Sequence, residues 1–174
     1  ISSWQFTTNI DDDINFTRMF LNNRKFNKNL SGWNTERVSN MSYMFYDARE
    51  FNGNISTWIT SNVTNMYAMF LRAYNFNQNI SGWDVSNVAD MGYMFYGTQF
   101  NQEIGEWDVG NVKNMQNMFQ YARQFDANLS QWSEKVNKVE NMSYMFYEAD
   151  SFNNGGVSEF ENWNTSNVKY MTGM

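Results

Sequence analysis

All seven tryptophans, at positions 4, 33, 58, 83, 107, 132 and 163, recur at intervals of 29, 25, 25, 24, 25 and 31 residues. A sustained period in the twenties confines a chain to a stack of similar coils, because a unit that short cannot bury its own apolar face and needs a neighbour to complete the core. Between tryptophans the phrase reads W-x-x-x-N-V-x-N-M-x-x-M-F-x-x-A-x-x-F-N-x-N-[IL]-S-x-W. Two columns hold all 13 methionines, and two further columns hold twelve of the 15 phenylalanines. A single repeat domain over 1–174 is expected, with coils starting near Trp4, Trp33, Trp58, Trp83, Trp107, Trp132 and Trp163.

Within one coil Val38, Met41, Met44, Phe45 and Ala48 follow an i, i+3, i+6, i+7, i+10 spacing, which predicts the inward stripe of a helix of about two turns. The methionines then read as core ladders rather than soft-metal ligands. Asn40, Asn65, Asp90, Asn114 and Asn141 precede the first methionine of their coils, and such side chains cap helix starts by accepting a backbone N–H. The segment N-x-N-[IL]-S-x-W predicts one short strand per coil, bent because its aliphatic residue and tryptophan are three apart. The expectation is an α/β solenoid of about seven coils, each of one short strand and one short helix.

Composition narrows the chemistry. A net charge of −6, with only 17% of residues charged, disfavours a nucleic-acid partner. With no cysteine and no histidine, thiolate and imidazole ligands and the commonest general base are all missing. The carboxylates show no pairing for acid–base work, and there is neither a glycine-rich phosphate loop nor a nucleophile beside a base. A non-enzymatic chain without cofactor or metal is therefore expected. Asp11, Asp12 and Asp13 lack the glycine turn and following acidic ligand of a calcium loop and read as a solvated loop. No apolar run approaches the roughly 18 residues of a membrane span, and ISSWQFTTNI lacks the features of a signal peptide. This fragment is not expected to insert in a membrane, and any signal or anchor would lie outside it.

The phrase WxxSNVxxMxxMFxxAxxFNxxISxW, as it stands in 58–76 and 83–104, resembles the BspA-type leucine-rich-repeat surface protein family over six nearly complete copies. The resemblance implies a leucine-rich-repeat-like solenoid, an extracellular or cell-surface location, and an adhesive or structural role. The chain departs from the pattern by two extra residues before Val139, by an insert in 154–162, and by a longer first interval. These inserts are expected to bulge as loops. Neither end carries a polar capping repeat, so the fragment is expected to continue in a longer chain or to stack end to end on another copy.

Two sets of residues are candidates for function. Asn29, Asn54, Asn79 and Asn128 precede the inward aliphatic residue in N-[IL]-S and are the first glycosylation candidates, with Asn15 and Asn164 next. An asparagine ladder along the turns is the competing reading of that column. The sequons at Asn40, Asn62 and Asn141 read as structural. Tyr43 and Tyr46, Tyr93 and Tyr96, and Tyr144 and Tyr147 recur in alternate coils opposite the methionines and form a candidate contact face. The expected function is an extracellular structural scaffold or adhesin, open to glycosylation and prone to end-to-end assembly into a fibre, whose partners are other copies of itself or surface proteins and glycans. The alternative is a protein- or carbohydrate-binding module of a larger surface protein.

Overall fold

The computed structural model describes residues 14–157 and 162–174. Asp11, Asp12, Asp13 and Trp4 lie outside the described residues, as does part of the 154–162 insert. The coils stack in register. Parallel bridges link Asn40 to Asn65, Asn65 to Asp90, Asp90 to Asn114, Asn114 to Asn141 and Asn141 to Tyr170.

The α/β solenoid of seven strand–helix coils does not form. Among the described residues there is no α-helix. The only strands among the described residues are β1, Ile14–Asn15, and β2, Val38–Asn40, a parallel pair in one small sheet. The remaining helical elements are single 3₁₀ turns at Ser130–Trp132 and Asn154–Gly156. No helix among the described residues is long and apolar enough to cross a membrane.

Hydrogen bonding explains the replacement of helix by turns. In an α-helix every amide returns to a carbonyl four residues back in its own segment. Here alternate amides leave the coil: the N–H groups of Met41, Tyr43, Phe45 and Asp47 donate to the carbonyls of Asn65, Tyr67, Met69 and Leu71. The intervening amides of Met44, Tyr46 and Ala48 close tight turns on the carbonyls of Met41, Tyr43 and Phe45. Tyr43 and Asp47, third in their turns, take φ of 57° and 52°, the left-handed conformation of a type II turn. The same conformation recurs at Ala68 and Arg72, at Tyr93 and Gly97, at Asn117 and Tyr121, and at Tyr144 and Glu148. Each coil is a run of turns, and its backbone is satisfied only when the next coil is present.

The strand expected at N-[IL]-S-x-W is a turn as well. The Trp33 amide donates to the Leu30 carbonyl at 3.0 Å, and the same bond recurs from Trp58 to Ile55 and from Trp83 to Ile80. A separation of three residues is the reach of a β-turn, not of a strand, where side chains of one face are two apart. The supposed helix caps have no helix to cap; Asn40 Oδ1 accepts the Ser42 amide at 2.9 Å and thereby starts the turn run.

The core columns are continuous. Val38, Met41, Met44, Phe45 and Ala48 are fully buried, as are Val63, Met66, Met69, Phe70 and Ala73 in the next coil. Phe20, Phe45, Phe70, Phe95, Phe119 and Phe146 stack with centroid separations of 5.3 to 5.9 Å. Trp33, Trp58 and Trp83 stack at 6.3 and 6.2 Å. These geometries suit aromatic quadrupoles and lock the register of successive coils.

Candidate functional site

The turn run carries tyrosine outward because the left-handed residue of each turn points away from the methionine column. Tyr43 and Tyr46 face each other at 6.1 Å, Tyr93 and Tyr96 at 5.9 Å, and Tyr144 and Tyr147 at 5.7 Å. The first four are half-buried, and Tyr144 and Tyr147 are exposed.

These pairs are not isolated in alternate coils. Tyr67 lies 5.3 Å from Tyr43 and 5.6 Å from Tyr93, and Tyr121 lies 5.3 Å from Tyr96 and 6.1 Å from Tyr147. The result is one continuous stripe. Sequence reasoning missed both bridging rings, although a signal for Tyr67 was present. Ser42 and Gly92 flank it in its own column, and a Cβ on Gly92 would meet the Tyr67 ring at 3.1 Å. Small neighbours leave the ring its place. Burial first, then Tyr43, Tyr93 and Asp90, pushes the Tyr67 phenol up to about 12, so it remains a neutral donor. Where the stripe thins, Asn117 and Gln120 are buried and the Asn117 amide donates to Gln120 Oε1. At the N-terminal margin the Arg18 guanidinium sits over the Tyr43 ring at 5.2 Å.

The glycosylation candidates all close local turns. Asn29, Asn54, Asn79 and Asn128 each accept, through Oδ1, the amide of the serine two residues on, at 2.8, 2.9, 3.0 and 2.9 Å. Asn15 and Asn164 do the same with Thr17 and Ser166. Asn15, Asn29, Asn54 and Asn79 are exposed, whereas Asn128 and Asn164 are half-buried. Inter-coil asparagine ladders do exist, in other columns. The amides of Asn52, Asn77 and Asn101 donate to Oδ1 of Asn27, Asn52 and Asn77. Asn62, Asn87 and Asn111 donate through Nδ2 to the carbonyls of Glu36, Ser61 and Ser86.

Two shallow grooves lie elsewhere on the described surface. One, of about 240 Å³, is lined by Lys113, Lys138, Glu140, Asn167 and Lys169, with Lys169 Nζ 2.7 Å from Glu140 Oε2. The other, of about 290 Å³, lies where Glu103 interrupts the sequon column and includes Glu106, Asn128 and Gln131. Among the described residues no group of three or more metal-ligating side chains is placed to hold an ion.

No curated protein and no solved structure matches the chain. A family model described as "Mycoplasma protein of unknown function, DUF285" matches residues 1–99 and, again, 81–174. This is compatible with the BspA-type resemblance, which it does not by itself establish. Because the two matches together span every coil, the chain belongs to the DUF285 family.

Proposed function

We propose that this chain is a non-catalytic structural scaffold or adhesin of the cell surface, and that its tyrosine stripe is the face that meets protein or carbohydrate. The continuous contact from Tyr43 through Tyr67, Tyr93, Tyr96 and Tyr121 to Tyr147 carries the reading. Rings held by a rigid stack lose little side-chain freedom on binding, and tyrosine offers both apolar area and a hydroxyl. Beads coated with the protein should adhere to cultured epithelial cells. A variant with Tyr43, Tyr93 and Tyr144 changed to Ala should adhere several-fold less while keeping its circular dichroism. Unchanged adhesion by the folded variant removes the stripe as the interface.

End-to-end stacking of copies is the second reading, supported by coils whose alternate amides find their acceptors in the next coil. Negative-stain images should show threads, and Met171→Lys with Met174→Lys should leave short rods. Glycosylation of Asn29, Asn54, Asn79, Asn128, Asn15 or Asn164 rests on side-chain amides whose Oδ1 alone is engaged. Intact mass before and after glycosidase treatment decides it, and an unchanged mass ends it.

A further inference from the structure

Asp47 is held in an unusual way. Its side chain is only 5% exposed, and two arginines grip it, Arg24 Nε on Oδ2 and Arg49 Nε on Oδ1, each at 2.8 Å. Arg24 comes from the preceding coil and Arg49 from the same one, so the shared carboxylate sets two guanidiniums side by side. Both remain open to water, at 61% and 43% exposure. Arg49 Cζ in turn lies 5.6 Å from the ring centre of Tyr74, an exposed aromatic of the next coil. Arg72 takes, in that next coil, the left-handed turn position that Asp47 occupies in its own.

A carboxylate is normally satisfied by one guanidinium presenting its fork. Here each arginine contributes a single Nε, and the Nη groups of both have no acceptor among the described residues. Both guanidiniums stay open to solvent beside the carboxylate that holds them. The first coils are net basic although the whole chain is acidic: residues 14–75 hold seven Lys and Arg against three Asp and Glu, namely Glu36, Asp47 and Glu50. Anions would find here preoriented bidentate donors, low ordering cost and an aromatic wall.

We propose that Arg24, Arg49 and Arg72, with Tyr74 as a stacking wall, bind the sulfate or carboxylate groups of an anionic polysaccharide. A polymer fits better than a free anion because its charged groups recur along a chain, as the arginines recur from coil to coil. The site borders the tyrosine stripe, since Arg72 and Tyr74 act on the Tyr96 phenol, but it uses different residues and goes beyond the adhesive reading given above.

The test uses an immobilised heparin dodecasaccharide, with neutral dextran as control, in biolayer interferometry at low and at physiological salt. Wild-type protein should bind heparin but not dextran, and salt should weaken the binding. Arg24→Gln with Arg49→Gln should lose at least tenfold in affinity. Arg24→Lys with Arg49→Lys, which keeps the charge and a partner for Asp47 but not the forks, should lose a few-fold and guards against a folding defect in the glutamine variant. Lys138→Gln with Lys169→Gln, at the other basic groove, should bind as wild type. The Tyr43, Tyr93, Tyr144 alanine variant should also retain heparin binding, which separates this site from the stripe. Wild-type affinity in a folded Arg24→Gln, Arg49→Gln variant, equal binding to dextran, or loss of binding in the Lys138, Lys169 variant overturns the proposal.

Discussion

The indole Nε1–H of Trp83 donates to the carbonyl oxygen of Ile55, 3.2 Å away in the preceding coil, and the backbone amide of Trp58 donates to that same oxygen. The bond recurs from Trp58 to Leu30, from Trp107 to Ile80 and from Trp132 to Ile104. Each of these four indoles thus ties two coils together and satisfies its own polar atom.

Trp83→Phe keeps an aromatic ring in the stack but removes the donor. The Ile55 carbonyl retains the Trp58 amide, so the hydrogen-bond loss stays near about 1 kcal/mol, and the smaller ring brings the total to about 1–3 kcal/mol. Urea unfolding should show a lower midpoint at unchanged slope. An unshifted midpoint means that the indole bond contributes nothing to stability.

Glycine positions separate close approach from open surface. A Cβ on Gly53 would lie 2.0 Å from the Lys28 carbonyl oxygen, whereas one on Gly82 would meet nothing within 4 Å. The approach at Gly53 is backbone to backbone between adjacent coils, so no side chain can yield. Gly53→Ala should therefore cost about 1–3 kcal/mol or more, and Gly82→Ala should be neutral or slightly stabilising through the unfolded state. Thermal melts of the two single variants, compared side by side, check the contrast; equal melting temperatures contradict the coil spacing.

Two aspartates give opposite pH signatures. Burial raises the Asp90 carboxyl above its ordinary 3.8, and the bonds from the Gly92 amide and Asn114 Nδ2 offset this only in part. A group raised on folding favours the fold while protonated, below 3.8, and that contribution is lost as pH rises through its folded value. Asp90→Asn, which matches Asn15, Asn40, Asn65, Asn114 and Asn141 in five other coils, should melt higher than wild type at about pH 7 and converge with it in acid. At Asp47 burial also pushes upward, but hydrogen bonds from Arg49 and Arg24 outweigh it and the carboxyl falls below 3.8. Its contribution is present above 3.8 and fades as pH drops through the folded value. Asp47→Asn should accordingly melt lower than wild type near neutrality, with the gap closing on acidification. Scanning fluorimetry from about pH 7 to about pH 3 reads both, and parallel curves for either variant refute the assignment.

The columns were legible in sequence because each is nearly one residue type, and burial of Met41, Met44, Phe45 and Ala48 follows from that alone. The helix was misread because its period is ambiguous. Side chains at i, i+3 and i+7 share a face in a helix, and a run of three-bond turns from Met41 to Met44 and from Phe45 to Ala48 brings the same residues together. What separates the two is the left-handed residue between them, and that column is filled by Asn22, Asp47, Arg72, Gly97, Tyr121 and Glu148. One glycine in six hides the requirement. The tyrosine face was legible only in part, since Tyr67 and Tyr121 reach it from neighbouring columns that a one-column alignment cannot combine.

That column also supplies a substitution whose sign distinguishes turn from helix. Glu148 is exposed with φ of 54°, and its ion pair with Arg123, at 3.2 Å between two exposed side chains, contributes little. A left-handed non-glycine residue costs about 1–2 kcal/mol, of which glycine's greater freedom in the unfolded chain returns roughly 0.4–1. Glu148→Gly should therefore stabilise by about 0.5 kcal/mol, and it places there the residue that Gly97 already supplies at the equivalent position with φ of 69°. In a helix the same change would destabilise by about 1 kcal/mol. Chemical denaturation resolves a difference of that size, and a clear loss of stability in Glu148→Gly would restore the helical reading of the repeat.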